Sequence, residues 1–399
     1  MNILVVSQYF YPEEFKINDL VEELITRGHD ITVLTGKPNY PRGEYFQGYK
    51  FWGVQNEDYK GARVIRVPLI KRKGGGAVRL VLNYFSFAFF ACLYVLFHKM
   101  PFDSIFCFQT SPVIQAYPAI WAKRKCKAKL SMWVQDLWPE SVSAASNIKN
   151  PKIIKLIGKM VKHIYDKCDV LMVQSKKFSE SIMEKGAYSD KLVYVPNWAE
   201  DVFANSPSDF EKYKSIIPDG FIVMFAGNIG EAQDFNSIIQ AAKLTRDDKS
   251  IKWVIVGDGR YRKNVEDQVI SNDLCDTVIL LGRYPVDEMP NFFIHADVML
   301  VTLKDEYIFS LTIPSKTQAY MSFGKPIATM INGVGNEIIN EARCGLCANA
   351  GDYNQLARNV ISLSRLSDDE LKRMGRNAKE YYREEFAKSK VIDIIENYL

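Results

Sequence analysis

Residues Ile313-Pro314-Ser315-Lys316-Thr317-Gln318-Ala319-Tyr320-Met321-Ser322-Phe323-Gly324-Lys325-Pro326-Ile327 decide how the whole chain is read. They parse as a helix marked at both ends. Pro314 and Ser315 occupy the places of a first turn and an N-cap. Ala319, Tyr320, Met321 and Phe323 supply apolar contacts, and Gly324 followed by Pro326 stops the helix. Apolar strands are expected before and after it, over 297–303 and 326–330. A helix that starts after a strand offers unpaired N–H groups and the positive end of its dipole, which suits an anion such as a diphosphate. Taken alone, the stretch is better read as an ordinary βαβ helix with a serine cap. Its neighbours change that.

Moving outward, an apolar strand over 221–226 runs into Gly227-Asn228-Ile229-Gly230-Glu231-Ala232-Gln233-Asp234. Paired glycines after a strand let backbone approach a phosphate or a sugar closely. A helix over 235–244 and a strand over 251–256 lead to Gly257-Asp258-Gly259-Arg260. A further strand over 278–281 leads to Gly282-Arg283-Tyr284-Pro285, and 288–295 is helical. Each of these loops follows the C-terminal end of a strand, the edge at which open α/β sheets bind ligands. One Gly-x-Gly is weak evidence; several such loops converging on one helix start point to a nucleotide site.

The first half opens strand, helix, strand over 2–7, 18–27 and 29–34, which is a βαβ unit of a parallel sheet. No G-x-G-x-x-G follows the first strand, which argues against a dinucleotide fingerprint. His29 reads as a turn residue. Tyr11 and Glu13 in the first loop, with Asn39 and Tyr40 in a long Gly-, Pro- and aromatic-rich loop over 36–59, form a candidate wall for an acceptor. A third strand is expected over 63–70. After the strand 129–134 comes Gln135-Asp136-Leu137-Trp138-Pro139, where Asp136 is either a cleft carboxylate or a helix cap.

Residues 80–97 are apolar or aromatic apart from Asn83 and Ser86, and as a helix would span about 27 Å at ~1.5 Å per residue. A helix at about 78–98 crossing the membrane would split one sheet across the bilayer, and a wholly buried one would be apolar all round where one face of a sheet seldom needs it. The favoured reading packs one face on the sheet and dips the other into an anionic membrane surface, with Lys71, Arg72, Lys73, Arg79 and Lys99 meeting the headgroups.

The 399 residues suffice for two domains, expected at 1–200 and 205–380 with a terminal segment 381–399. A net charge of +4 is too mild to imply a nucleic-acid partner. Seven scattered cysteines suit reduced thiols in the cytoplasm, and Cys344-x-x-Cys347 lacks the second pair that a zinc site needs. No removable leader is expected at the N-terminus, and no metal is expected.

Taken together, the motifs 227–233, Val256-Gly257-Asp258-Gly259, Leu281-Gly282-Arg283, Ala296-Asp297-Val298 and Ala319-Tyr320-Met321-x-x-Gly324-Lys325-Pro326-Ile327 resemble the retaining family-4 glycosyltransferases of the GT-B fold. The N-terminal pieces Tyr11-Pro12-Glu13, Arg27-Gly28-His29-Asp30, Lys37-Pro38-Asn39-Tyr40-Pro41 and Gln135-Asp136-Leu137-Trp138-Pro139 resemble the subgroup that builds bacterial O-antigen, colanic acid and capsule, with its N-acetyl-L-fucosamine transferases. The resemblance implies two Rossmann-like α/β domains facing across a cleft, a C-terminal helix returning to the first domain, and closure about a linker at 198–205. It implies a UDP-sugar donor and no cofactor. The acceptor would be a lipid-diphosphate-linked saccharide, and the enzyme peripheral on the inner face of the cytoplasmic membrane. The base would lie near Gly282 and Arg283, and the diphosphate against 227–230 and Ser315. Pro314, Gly257, Asp258 and Arg260 would complete the donor site.

Two departures from the family pattern matter. Its pair of glutamates eight positions apart falls on Ser310 and Gln318, and its Arg and Lys after the first strand of this domain fall on Asn228 and Gln233. Lys316 is the candidate replacement cation, ahead of Arg260 and Arg283. Asp136 is the candidate for positioning the acceptor or taking its proton. Two other readings compete: a UDP-sugar 2-epimerase, which needs acid and base groups that the four histidines hardly supply, and a nucleotide-sugar-binding protein without turnover.

Overall fold

The computed structural model describes residues 1–145, 150–204, 207 and 209–399. The chain divides into two compact units, Met1–Val195 with Ile392–Leu399, and Pro196–Val391. Each is a parallel sheet covered by helices, and the two Rossmann-like units expected from the sequence are present.

The first unit has strands β1 (Asn2–Val6), β2 (Asp30–Gly36), β3 (Gln55–Tyr59), β4 (Ala62–Val67), β5 (Ser104–Gln109), β6 (Lys129–Val134), β7 (Val170–Val173) and β8 (Leu192–Tyr194) in the order β3-β4-β2-β1-β5-β6-β7-β8. All neighbours are parallel except β3 and β4. Strand β3 corrects the expected loop over 36–59. Its sequence QNEDY carries no apolar run because an edge strand needs no fully buried face, and it reverses into β4 through Lys60 and Gly61, both at positive φ. The third strand accordingly ends at Val67, not at residue 70.

The helices Ala77–Phe97, Ala116–Cys126 and Pro151–Lys167, which connect successive parallel strands, pack side by side, the second against both others. Helix Ala77–Phe97 buries Asn83, Ser86, Phe87, Ala91, Tyr94 and Val95, at helical spacing. Its other side shows Val78, Val81, Leu82, Phe85, Phe89, Leu96 and Phe97 to solvent, with Val78 74% and Phe97 76% exposed. The terminal residues of the chain pack with the helix Lys16–Thr26. There Arg27 bonds Asp393 and Glu396, and His29 meets Glu396, which makes His29 a fastener for the chain end.

The second unit orders β9 (Phe221–Ala226), β10 (Ile251–Val256), β11 (Val278–Gly282), β12 (Val298–Thr302), β13 (Ile327–Met330) and β14 (Gly345–Ala348) as β11-β10-β9-β12-β13-β14, all parallel. Two apolar clusters, one around Met224 and Met299 and one around Val223 and Leu300, fill the two faces as side chains alternate along the strands. At the linker expected at 198–205 and in the segment that follows it, residues 205, 206 and 208 lie outside the described residues. The remainder holds only the short turns Asp201–Ala204 and Lys214–Ile216. The terminal helix is broken into Asp368–Glu385 and Lys388–Asn397, because Phe386 leaves helical geometry and buries its ring.

Candidate functional site

In the second unit, register aligns the ends of three strands: Ala226 pairs with Val256, and Val256 with Gly282. The loops that follow are stitched by backbone hydrogen bonds, Gly227 N–H to Val256 O, Gly257 N–H to Gly282 O and Ile229 N–H to Asp258 O. Contact this close excludes side chains. A Cβ on Gly257 would lie 1.9 Å from Gly227 O, and one on Gly259 would lie 2.2 Å from Ile229 O. Beside this braid opens a cavity of about 630 Å³ lined by Gly227, Asn228, Gly257, Asp258, Arg260 and Arg283, with Tyr284 and Met289 behind. Six of the donor residues expected from the sequence are thus brought to one hollow. Gly282 stands behind it, buried, at φ +89.

The helix Ser315–Phe323 begins beside the Gly227 turn, with a correction to its start. Pro314 is the N-cap and Ser315 the first helical residue; no side chain caps the end. Proline has no side-chain acceptor to offer, so the N–H groups of Ser315 and Lys316 make no hydrogen bond among the described residues. The register of this helix is set by Tyr320, whose buried hydroxyl accepts from Ala226 N–H (3.0 Å) and donates to Ala226 O (3.1 Å). Sequence reading gave Tyr320 only an apolar role; a tyrosine in place of phenylalanine inside a core helix was the signal.

That register lays Lys316 along the turn. A Cβ on Gly227 would sit 2.6 Å from Lys316 Cε, and Gly227 has φ +135. Lys316 Nζ lies 4.1 Å from the centre of the Phe225 ring and makes no ion pair or hydrogen bond among the described residues. Burial holds its pKa down to about 8. It is a cation without a counter-charge, next to unpaired N–H groups and a glycine turn.

Other expected donor residues are committed elsewhere. Gln233 Oε1 accepts from Gly230 N–H, and Ser310 Oγ donates to Tyr307 O. Gln318 is buried, its Nε2 donates to Asn197 O, and among the described residues its Oε1 has no partner.

In the first unit, Glu13 and Asn39 are buried and brace the loops. Glu13 accepts from the N–H groups of Asn39 (2.8 Å), Tyr40 (2.7 Å) and Phe10 (3.3 Å), and burial pushes its pKa up to about 7. Tyr11 and Tyr40 stay exposed. Asp136 follows β6. Burial raises its carboxyl pKa, while hydrogen bonds from Ser111 pull it back down. The basic run expected at a membrane is divided. Lys71 pairs with Glu44, and Arg72 turns inward among Tyr9, Tyr40 and Tyr84, because aromatic faces attract a guanidinium.

Among the described residues no group of three or more His, Cys, Asp or Glu could hold a metal ion. A second cavity in the second unit, about 440 Å³ beside Asp297 and Lys325, lies where strands begin, away from the loop cluster.

The family described as Glycosyl transferases group 1 matches residues 208–381, and the Glycosyl transferase 4-like domain matches residues 15–198. WcaI of Escherichia coli K12, a glycosyl transferase named for colanic acid biosynthesis, is 26% identical over 338 residues, covering 81% of this chain and 82% of its own. The glycosyltransferase WbjE of Pseudomonas aeruginosa is 30% identical over 250 residues, covering 60% and 59%. Anabaena HepE in complex with UDP superposes with a TM-score of 0.73 at 14% identity, covering 100% of this chain and 99% of that one.

Proposed function

We propose that this chain, which the group 1 and 4-like glycosyltransferase families match and which shares the GT-B fold, transfers a sugar from a UDP-sugar donor to a lipid-diphosphate-linked saccharide acceptor of bacterial surface polysaccharide synthesis. The observation that carries the donor half is Lys316. An uncompensated ammonium beside two unpaired N–H groups suits the charge that develops on a departing diphosphate. The cavity beside Arg283 takes the base.

Transfer proceeds with retention by front-face attack. The acceptor hydroxyl is positioned at Asp136 and gives up its proton there or to the leaving phosphate. The transferred sugar is N-acetyl-L-fucosamine. Isothermal titration with UDP tests the donor half: Lys316→Ala should weaken binding at least tenfold, and wild-type affinity and turnover in that variant would end the assignment.

The enzyme works at the inner face of the cytoplasmic membrane. The outward side of the helix Ala77–Phe97 is a continuous apolar strip with Arg79 at its start. In the same row of packed helices, Pro151–Lys167 exposes Ile153 and Leu156 among Lys152, Lys155 and Lys159, the pattern of an interfacial helix. Changing Arg79, Lys152, Lys155 and Lys159 to Glu should release the protein from vesicles containing phosphatidylglycerol; undiminished binding would count against surface attachment.

A further inference from the structure

Among the described residues the Arg72 guanidinium forms no ion pair and sits among aromatic rings instead. Its Cζ lies 5.2, 5.1 and 5.6 Å from the ring centres of Tyr9, Tyr40 and Tyr84. Nη2 donates to the Tyr9 hydroxyl, which among the described residues is the only hydrogen bond from the side chain, and buried Nε has no partner. The carboxylates that could neutralise it are occupied elsewhere. Glu13 is spent on three backbone N–H groups, and Glu44 on Lys71. The cage is itself anchored. Tyr9 stacks on Phe15 at 5.0 Å, and Asn39 Oδ1 accepts from both Arg72 N–H and Asn83 Nδ2. With Nε buried and one Nη2 N–H given to Tyr9, the two N–H bonds of Nη1 and the second of Nη2 remain to be presented from a fixed, planar group, an arrangement that matches phosphate oxygens.

Its place in the fold says whose phosphate. Tyr9 follows β1, Tyr40 follows β2 and Asp136 follows β6, so all three stand at the ligand-binding edge of the first sheet. The Tyr84 ring that caps Arg72 is also near enough to Asp136 to feel its charge. On the other side, five residues along the chain, begins the helix whose outward side is apolar. A ligand reaching from Asp136 past Tyr84 to Arg72 thus arrives beside a lipid-seeking surface.

We propose that Arg72, in its cage of Tyr9, Tyr40 and Tyr84, binds the phosphate of the lipid-diphosphate carrier and so selects lipid-linked over free acceptors. The proposal rests on the acceptor reading given above and adds the residue that recognises the carrier.

The test uses the full chain saturated with UDP, so that the donor site is filled, and follows binding of farnesyl diphosphate and farnesol in mixed micelles. Wild type should prefer farnesyl diphosphate. Arg72→Gln should weaken that binding roughly tenfold to a hundredfold, as expected for lost charge-assisted hydrogen bonds, with farnesol and UDP binding unchanged. Arg72→Lys, which keeps the charge but loses the planar fork, should fall between. Equal affinity of wild type and both variants for farnesyl diphosphate would overturn the assignment, as would parallel losses for farnesol, the mark of a purely structural role. Inorganic diphosphate bound through Arg72 as tightly as farnesyl diphosphate would make the ligand a free anion and overturn the carrier assignment. Failure of wild type to bind UDP would strike the donor reading instead, leaving the Arg72 comparison to stand on its own.

Discussion

Replacing Lys316 with methionine should make the protein more stable and a worse ligand binder at once. Methionine has nearly the length of the lysine stem, so contacts with Gly227 and Phe225 are kept while the ammonium is lost. A pKa of about 8 in place of the ordinary 10.5 means that the fold disfavours the charged form by about 3 kcal/mol. Solvent reaching the half-buried ammonium trims this to about 2 kcal/mol. In thermal melts at pH 7 without ligand, Lys316→Met should therefore unfold about 4–8 °C higher. Titration with UDP should show the opposite sign, a loss of roughly 10–150-fold, the equivalent of about 1.5–3 kcal/mol for a charged hydrogen bond. The stability gain and the binding loss have one cause, a charge kept unpaired until a diphosphate arrives. A variant no more stable than wild type that binds UDP equally well would refute the reasoning.

The pH dependence follows with a definite sign. Because the folded pKa of Lys316 is depressed to about 8, its penalty on folding is complete below pH 8 and relieved between about 8 and 10.5. UDP affinity should accordingly fall above pH 8 with proton uptake on binding, seen as buffer-dependent heats that vanish in Lys316→Met. Gly227→Ala combines a strained φ of +135 with a 2.6 Å contact on Lys316; we expect about 1–3 kcal/mol of destabilisation by urea unfolding and weaker UDP binding. Tyr320→Phe leaves Ala226 N–H unsatisfied in the core and should cost about 1–3 kcal/mol by the same measurement, with UDP binding reduced through the displaced Lys316. For Glu13 the folded pKa is raised to about 7, so its contribution to stability declines as pH climbs from 4.5 to 7. Glu13→Gln should flatten that slope in urea unfolding between pH 5 and 8.

The two Rossmann-like sheets were legible because buried parallel strands must be apolar throughout, as 221–226 and 251–256 are, and because glycine is required where Gly257 and Gly259 touch facing backbone. Local chemistry of that kind is written residue by residue. Strand β3 escaped notice since an edge needs no apolar signature. The like-charged neighbours Lys71, Arg72 and Lys73 could not be assigned different roles along the chain. Only packing sends one lysine to Glu44 and the arginine into three aromatic rings. The same holds for Glu13 and Asn39, polar residues whose partners lie up to 44 positions away. The apolar helix has one composition whether it spans, lies on or hides from a bilayer, and the sheet beneath it covers one side and leaves the other bare. Residue type and spacing set what each segment can form; long-range contacts set which of its groups are used up and which, like Lys316 and Arg72, are left with charge to spare.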